Sequence, residues 1–290
     1  MSTDYRGATA YLGDPGALSG QRLVGKVAVV TGAGARPSTT ENPIAGNGQA
    51  TAIVLAREGA RVALLDLEPE WVAATAAAIE REGGQAITVK ADVTDESSVR
   101  AAIQRVVGEL GSLSILVNNV GIVGPLGPAP DVDTDQFDRA MRVNLTSMVI
   151  TAKQAIPVMA AAGGGTIVNL ASVSGMLGGD PNLFYPISKT AVIGLTRSMA
   201  AHHGAAGIRV NCVAPGMLYT PMVASRGMTN EIREARRDGS ILKTEGTAWD
   251  VAMAIAFLAS DAARWITGIT LPVDAGATAA REWALTPTVR

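Results

Sequence analysis

The chain has 290 residues, of which 48% are hydrophobic and 17% charged, and its formal net charge is −2. This length suits one or two domains, and the apolar fraction excludes an intrinsically disordered chain. The near-neutral charge argues against a nucleic-acid partner, because such proteins usually carry a clustered basic excess. The single cysteine, Cys212, excludes an intramolecular disulfide and a multi-cysteine metal site.

The sequence predicts neither export nor membrane insertion. The first residues lack the apolar run of a signal peptide. The longest uncharged run, 154–179, contains Pro157 and three consecutive glycines, so it does not match the roughly 20 apolar residues of a membrane span. We therefore expect a cytoplasmic protein without a membrane partner.

Residues 1–23 predict an extended N-terminal arm, because they lack hydrophobic periodicity and contain four glycines. Residues 24–290 predict a single domain in which short β-branched runs alternate with alanine-rich helical stretches. The predicted strands are 27–30, 61–65, 86–90, 115–118, 166–170, 209–213 and 270–273. The predicted helices are 48–58, 70–82, 96–110, 135–162, 185–203 and 247–260.

This alternation predicts an α/β fold with a parallel sheet covered by helices on both faces. Two strand candidates, 27–30 and 115–117, are continuously apolar, as strands buried on both faces should be. The expected fold is a Rossmann-type, doubly wound sheet of seven parallel strands. Ligands bind such sheets outside the carboxyl ends of the strands, so the residues that follow each strand are the site candidates.

A glycine-rich turn follows the first strand. It contains Gly32 and Gly34, and after a longer stretch Gly46, Asn47 and Gly48 open an alanine-rich helix. Glycines let the backbone approach a pyrophosphate, and the helix N-terminus presents free N–H groups to it. A glycine pattern alone is weak evidence, but a strand before it and a helix after it strengthen the prediction of a dinucleotide site.

Later strand ends carry side chains that suit the rest of a dinucleotide. Asp66 follows the second strand, where a carboxylate can accept hydrogen bonds from the adenosine ribose and repel a 2′-phosphate. The alternative for Asp66 is a solvated loop residue. Asp92 and Val93 follow the third strand, where Asp92 suits an adenine amino group, and Asn119 and Gly121 follow the fourth. NAD(H) is the simplest cofactor that these residues predict.

Tyr185 and Lys189 are four residues apart, a spacing that places both side chains on one face of a helix. A phenol has a pKa of about 10, and a nearby ammonium group lowers that value. Taken alone, the two residues would be an ordinary surface pair. Ser172 lies thirteen residues before Tyr185, after the fifth strand, and Ser174 is its close rival.

These motifs, together with Asn144 and with the segment that follows the sixth strand, resemble the short-chain dehydrogenase/reductase family. The resemblance extends from about residue 26 to residue 276. It implies a catalytic tetrad of Asn144, Ser172, Tyr185 and Lys189.

The resemblance also implies a role for each member of the tetrad. Tyr185 would exchange the substrate's hydroxyl proton as general acid and base, and Ser172 would hydrogen-bond the substrate oxygen. Lys189 would lower the pKa of Tyr185 and bind the nicotinamide ribose. Asn144 would hold a water that links Lys189 to solvent.

Beyond the tetrad, the resemblance implies that the backbone near Leu218 and the hydroxyl of Thr220 fix the nicotinamide carboxamide. These two residues follow Pro215 and Gly216, which belong to the same cofactor-binding segment. Residues 265–276 look like the segment that relatives pack across a subunit interface. A homotetramer is therefore expected, and a simple edge strand with a solvated tail is the alternative.

One part of the chain departs from the family pattern. Thirteen residues separate Gly32 from Gly46 where relatives keep three, so 36–45 is an insertion of ten residues. Its position predicts a flap beside the adenosine half of the cofactor, and an inert surface loop is the alternative. Arg36 could reach a 2′-phosphate, but Asp66 favours NAD(H) over NADP(H).

The leading hypothesis is an NAD(H)-dependent oxidoreductase that interconverts a secondary alcohol and a ketone. The expected substrate is an apolar small molecule, because the loops after strands five and six are apolar; their candidate wall residues are Met176, Leu177, Leu183, Phe184, Met217, Leu218 and Met222. One alternative is a 3-oxoacyl-thioester reductase that uses NADPH, and another is a non-catalytic dinucleotide-binding sensor.

Two further clusters are interpreted as surface features. His202 and His203 predict a solvated helix end, so no metal site is expected. Arg233, Arg236 and Arg237 alternate with acidic residues and predict an exposed charged helix face, with an anion site as the alternative.

Overall fold

The computed structural model describes residues 21–34, 44–225 and 227–279. Within these ranges seven strands form one parallel sheet in the order β3-β2-β1-β4-β5-β6-β7. The strands are β1 (Val27–Thr31), β2 (Arg61–Asp66), β3 (Ala86–Lys90), β4 (Ile115–Asn118), β5 (Gly165–Leu170), β6 (Ile208–Pro215) and β7 (Thr270–Val273). The predicted doubly wound α/β fold with seven parallel strands is confirmed.

Helices connect the strands and cover the sheet. They are α1 (Asn47–Arg57), α2 (Pro69–Arg81), α3 (Glu96–Leu110), α4 (Thr134–Met141), α5 (Ser147–Ala161), α6 (Phe184–His203), α7 (Pro221–Ala224), α8 (Asn230–Asp238) and α9 (Ala248–Ala259). None of the described helices is long and apolar enough to cross a membrane.

The alternation of side chains along β1 separates two hydrophobic cores. Ala28 and Val30 belong to the core beneath α1, α2 and α9, whereas Val27 and Val29 belong to the core beneath α3, α5 and α6. All five residues of β1 and all four of β4 are buried. Residues 27–30 and 115–117 of these strands are continuously apolar because both faces of the sheet are covered there.

The helix predicted over 135–162 is interrupted. A π-helical segment, Arg142–Thr146, separates α4 from α5. Asn144 lies in this segment, and its side chain is bonded to the backbone of Ile122 in the loop after β4. The hydrophobic pattern of the region fits one continuous α-helix, so the π-helical segment was not predicted, and neither was the short helix α7.

A chain of buried side-chain hydrogen bonds crosses the centre of the sheet. Asn118 and Asn169 are paired in register on β4 and β5, and their side chains are bonded at 2.9 Å. Thr151 of α5 donates to Asn118 at 2.7 Å, and Asn169 donates to Thr196 of α6 at 3.0 Å. All four residues are buried, so this network fixes both helices relative to the strands.

The first described residues are already part of the packed domain. Leu23 is fully buried in the core beneath α1, and Arg22 forms a bidentate ion pair with the buried carboxylate of Glu58. Residues 1–20 of the expected arm and residues 35–43, which include most of the insertion, lie outside the described residues.

Candidate active site

The glycine turn brings the end of β1 against the start of α1. Gly32 has a φ of +64°, in the left-handed region that favours glycine. At Gly48, any Cβ atom would collide with the carbonyl oxygen of Gly32. The helix can therefore begin this close to the strand only because Gly48 has no side chain.

The N-cap residue of α1 carries no capping side chain. It is Gly46, which is extended and has no side chain to accept a hydrogen bond from the first turn. Among the described residues, a Cβ at Gly46 would meet only the carbonyl oxygen of Gly34, at 3.9 Å. The first-turn N–H groups of a helix are donors that bind a phosphate group, and the described part of this turn fits that role.

Asp66 stands at the end of β2, beside the turn. Its Oδ2 accepts a hydrogen bond from the backbone N–H of Gly34 at 3.0 Å, and its Oδ1 accepts one from Glu68 at 3.4 Å. These contacts fix the carboxylate next to the glycine turn. Gly34 has no room for a side chain, because a Cβ there would lie 2.6 Å from the Cβ of Trp71.

Asp92 and Val93 follow β3. The Oδ1 of Asp92 accepts hydrogen bonds from the backbone N–H and the hydroxyl of Thr94, at 2.8 and 2.7 Å, while its own N–H donates to Ser98. Val93 is buried. The aspartate is therefore held by its own loop at the same sheet edge as Asp66.

Asn119 ties the end of β4 to the glycine turn. Its side-chain N–H group donates to the carbonyl oxygens of Thr31 and Gly32, each at 3.0 Å, and its backbone N–H donates to the Thr31 hydroxyl. The Asn119 side chain therefore holds the backbone of the glycine turn through two of its carbonyl oxygens. Direct contact between Asn119 and a cofactor stays a prediction.

Lys189 and Tyr185 lie on one face of α6, as the four-residue spacing predicts. Lys189 is buried, and its Nζ donates to the carbonyl oxygen of Leu170 at 3.1 Å and lies 5.6 Å from the centre of the Tyr185 ring. Gly121 provides space above the ammonium, since a Cβ there would lie 3.2 Å from Nζ. A cation is thus held below a half-buried phenol.

Burial perturbs the titration of Lys189 and of its neighbour Cys212. Burial lowers the pKa of Lys189 from 10.5 to about 8. Burial also raises the pKa of Cys212 to about 11, so the thiol stays neutral near pH 7. Lys189 therefore carries its charge at neutral pH and loses it in the mildly alkaline range.

Ser172 directly follows the β5 region and begins a short 3₁₀ turn, Val173–Gly175. Its hydroxyl oxygen accepts the backbone N–H of Ser174 at 3.2 Å, which fixes the side chain on the same segment as Leu170. Leu170, whose carbonyl oxygen accepts the Lys189 hydrogen bond, therefore lies only two residues before Ser172 in the chain. The choice of Ser172 over Ser174 as the catalytic serine stays a prediction.

Asn144 is fully buried and is fixed by three hydrogen bonds. Its side chain accepts from the N–H of Ile122 and donates to the carbonyl oxygen of Ile122, both at 2.8 Å, and it also donates to the Ser188 hydroxyl at 3.1 Å. Ser188 in turn donates to the carbonyl oxygen of Tyr185 at 2.8 Å. Asn144 therefore connects the loop after β4 with the turn of α6 that carries Tyr185.

Sequence reasoning missed the part played by Ser188. Its position three residues after Tyr185 was the available signal, because a side chain at that spacing lies beside the tyrosine on the helix. The buried hydroxyl is the link between Asn144 and α6.

The segment after β6 carries the remaining predicted cofactor residues. Pro215 ends β6, and Gly216 donates its N–H to Val273 of β7 at 2.9 Å. Leu218 is buried, and Thr220 is the buried N-cap residue of α7. These residues reach the same sheet edge as Tyr185 and Ser172.

Apolar side chains form an exposed rim next to this edge. Its members are Met176, Leu177, Leu183, Met217 and Met222, each between 38% and 48% exposed. Two expected wall residues are not part of it. Phe184 is fully buried, packed edge-to-face on Phe137 at 5.0 Å, and the Leu218 side chain belongs to the core.

The arginines of α8 also differ from the expectation. Arg233 and Arg236 are only partly exposed and point to the segment after β6, where Arg233 pairs with Glu245 and Arg236 donates to Leu218. Arg237 pairs with the exposed Glu234 on its own helix. The interpretation as an exposed charged face was therefore wrong for Arg233 and Arg236.

These features fit a dinucleotide whose pyrophosphate would lie at the start of α1 and whose two ends would lie on opposite sides of the β1–β4 crevice. At the β1–β4 junction the chain connections diverge to the two halves of the sheet, and such ligands usually bind at that point. Asp66 lies on the β2 side of this junction, and Lys189 lies on the other side.

Comparisons with known proteins agree with this geometry. Residues 44–278 match a family model described as enoyl-(acyl carrier protein) reductase. The cis-4-hydroxycyclohexanecarboxylate dehydrogenase of Sinomonas cyclohexanicum is 40% identical, over 90% of this chain and 99% of its own length. The 7alpha-hydroxysteroid dehydrogenase of Bacteroides fragilis is 35% identical, over 89% of this chain and 96% of its own length.

A solved structure is similar as well. The crystal structure of a protein of Burkholderia xenovorans described as a short-chain dehydrogenase/reductase superposes with a TM-score of 0.83. It is 38% identical, and the match covers 90% of this chain and 99% of that one.

The burial of Lys189 predicts a pH-dependent effect of Lys189→Met on stability. Below pH 8 the folded protein bears the full cost of burying the charge, and this cost disappears as the pH rises from 8 towards 10.5, because only the unfolded chain still binds the proton. The melting temperature of Lys189→Met relative to the unmodified protein should therefore decrease between pH 7 and pH 10.

Thermal unfolding of the cofactor-free proteins at several pH values measures this difference. Lys90→Met, which removes an exposed lysine, is the matched control and should give a difference that is flat with pH. A flat profile for Lys189→Met as well would contradict the buried charge.

Proposed function

The chain belongs to the short-chain dehydrogenase/reductase family and is an oxidoreductase of CH–OH groups, and we propose that it uses NAD(H) to interconvert an apolar secondary alcohol and its ketone. Members of this family bind a nicotinamide dinucleotide. The observation that carries the proposal is the buried ammonium of Lys189, held by Leu170 below the ring of Tyr185.

The proposed mechanism assigns one task to each tetrad residue. In the oxidation direction, the Tyr185 oxygen takes the hydroxyl proton of the substrate, and the positive charge of Lys189 favours the phenolate that does so. Ser172 donates a hydrogen bond to the substrate oxygen and holds it beside Tyr185. A bound NAD(H), which would be held by the glycine turn, Asp66 and Lys189, would supply the acceptor for the hydride that leaves the carbinol carbon.

Asn144 keeps the site in shape and completes the path of the proton. Its side chain fixes the loop after β4 and, through Ser188, the backbone of Tyr185. We propose that a water held near Asn144 links Lys189 to solvent. The intact set of four residues favours an enzyme over a non-catalytic sensor, since a sensor would need no proton donor.

The rim favours a compact apolar substrate, such as a cyclic aliphatic alcohol. Three of its five members are methionines, whose flexible side chains adapt to the outline of a ring. Two relatives carry the names of cyclohexane and steroid alcohol dehydrogenases, which supports the same class. A thioester reductase with NADPH fits less well, because Asp66 opposes a 2′-phosphate.

A homotetramer is proposed on the basis of an exposed apolar edge. The Trp265 side chain is 95% exposed and Ile269 is 38% exposed, beside the edge strand β7. Exposed aromatic residues at a sheet edge are typical of subunit contacts. A cytoplasmic location stays a prediction.

Tyr185→Phe should lower kcat by about 10²- to 10⁴-fold, because only the proton donor and acceptor is lost. Its dissociation constant for NADH should stay within about twofold of the unmodified value, since the ring and Lys189 remain. Turnover of a cyclohexanol and fluorescence titration with NADH measure the two quantities. Retained turnover would overturn the mechanism.

The rival serines provide a matched pair for the same assay. Ser172→Ala should lower kcat by about 10²- to 10³-fold, whereas Ser174→Ala keeps the backbone N–H that fixes Ser172 and should retain most activity. The reverse order would assign the role to Ser174.

Asp66→Ser should reduce the preference for NAD over NADP, measured as the ratio of kcat/KM values, by at least about tenfold. The reason is that removing the fixed carboxylate removes its repulsion of a 2′-phosphate. Glu70→Gln removes an exposed charge from the start of α2 and should leave the ratio unchanged. An unmodified enzyme that is faster with NADPH would contradict the assignment.

Light scattering coupled to gel filtration should give a mass of about four times 29.7 kDa. Trp265→Glu places a charge in the proposed contact and should shift the mass towards smaller species. A single-chain mass for the unmodified protein would reject the tetramer, and an unchanged mass for Trp265→Glu would exclude Trp265 from the interface.

A further inference from the structure

The segment after β6 is held on one side by pairing with residues before α9. Leu218 and Gly246 form a parallel bridge, and the N–H of Tyr219 donates to the carbonyl oxygen of Gly246 at 2.9 Å. Gly246 also donates to Met217 at 3.3 Å. This pairing fixes the direction of the segment but leaves the carbonyl oxygen of Leu218 for another donor.

Arg236 supplies that donor from α8. Its Nη2 donates to the carbonyl oxygen of Leu218 at 3.0 Å, eighteen residues away in sequence. Burial lowers the pKa of the guanidinium, although the charge of Glu245 opposes the shift. A charge-assisted hydrogen bond in a partly buried position is strong, so Arg236 limits the movement of Leu218.

A second set of contacts fixes α8 beside the segment. The Arg233 guanidinium bonds to the Glu245 carboxylate from Nε at 3.1 Å and from Nη2 at 2.5 Å, and lies 3.8 Å from the centre of the Tyr219 ring. The Glu245 side chain is only 5% exposed. Helix α8 therefore contacts Tyr219, the residue after Leu218, and Glu245, which directly precedes the Gly246 that pairs with Leu218.

One hydrogen-bond donor of Arg236, its Nε, is unsatisfied within the described part of the chain. It is buried and has no hydrogen-bond partner among the described residues. A buried donor without a partner is costly, so this guanidinium is not placed to satisfy all of its own donors, and its hydrogen bond to the Leu218 carbonyl oxygen is the contact that it does make.

We propose that Arg236 is a positioning residue for the nicotinamide end of the cofactor, because it holds the Leu218 carbonyl and with it the carboxamide-binding segment 218–220. The inference rests on the proposed use of NAD(H) and on the family resemblance, which implies that this segment binds the carboxamide. Without Arg236 the segment is less restricted, and cofactor binding must supply the free energy that orders it. The adenosine half binds at the other side of the β1–β4 crevice and does not depend on this contact.

The test compares two ligands that differ only in the nicotinamide end. Arg236→Met removes the donors and keeps an extended apolar stem, so the dissociation constant of NADH should rise by about tenfold or more, the scale of one charge-assisted hydrogen bond. The dissociation constant of ADP-ribose, which lacks nicotinamide, should stay within about twofold. Fluorescence titration gives the first value and calorimetry the second.

Two further variants control for folding and for charge. Arg236→Lys keeps a cationic donor and should recover part of the NADH affinity. Arg237→Met removes a positive charge from the same helix, where the residue pairs only with the exposed Glu234 in the described contacts, and should alter neither ligand. Should Arg236→Met fail to fold, the comparison of Arg236→Lys with Arg237→Met in the same two titrations decides the proposal.

Two outcomes would overturn the positioning role. Equal weakening of NADH and ADP-ribose would indicate general damage, and unchanged affinity for both would show that the contact has no influence. Failure of the proposed cofactor is a separate result, because it appears in the unmodified enzyme as tighter binding of NADPH. In that case NADPH and 2′-phospho-ADP-ribose replace the two ligands, and the same criteria apply.

Discussion

Helix α6 buries the positive charge of Lys189 at the carboxyl edge of the sheet, and the rest of the candidate site depends on that burial. Among the described residues, the Lys189 ammonium donates to the backbone carbonyl oxygen of Leu170, and the neutral thiol of Cys212 lies nearby. Such burial is costly because the charge loses its hydration. The positive charge of Lys189 is close to Tyr185 and little screened by water. A charge in such a position strongly favours the phenolate form of the tyrosine.

The buried charge of Lys189 can favour the Tyr185 phenolate only if the groups around the two side chains stay in place. The hydrogen bonds that join Asn118, Asn169 and Thr196 fix α6 on β5, and Leu170 and Ser172 follow Asn169 on the same strand and turn. Asn144 and Ser188 fix the first turn of α6 from the opposite side. The substrate-facing groups thus belong to one rigid frame, and a substitution in the network should affect stability and catalysis together.

The fold follows from local patterns, but several contacts of the candidate site do not. The strands could be predicted because runs such as 27–30 and 115–117 are continuously apolar, and the shared helix face of Tyr185 and Lys189 because helical spacing is regular. Their catalytic assignment comes from the family resemblance, because the spacing alone fits an ordinary surface pair. The π-helical turn at Asn144 left no trace in the hydrophobic pattern, since it depends on a bond to Ile122 across the loop. Phe184 was misplaced because its burial depends on Gly124, where any Cβ would collide with the ring. Arg233 and Arg236 look solvated in sequence, and only the fold brings them to Tyr219 and Leu218.

The two ends of the proposed cofactor are held by different kinds of structure, and this has a consequence for substrate choice. On the proposed adenosine side the contacts would come from the glycine backbone and from Asp66, which Gly34 fixes in place. On the proposed nicotinamide side they would come from Lys189 and from a segment that α8 holds through Arg236. Met217 and Met222 lie on that segment and on α7, so this part of the apolar rim is attached to the proposed nicotinamide-binding structure. Met176, Leu177 and Leu183 lie instead between Ser172 and Tyr185. A change of Met217 or Met222 can therefore alter which alcohol is accepted while the proposed proton-transfer groups stay where they are, whereas a change that loosens α8 should affect substrate and nicotinamide binding together.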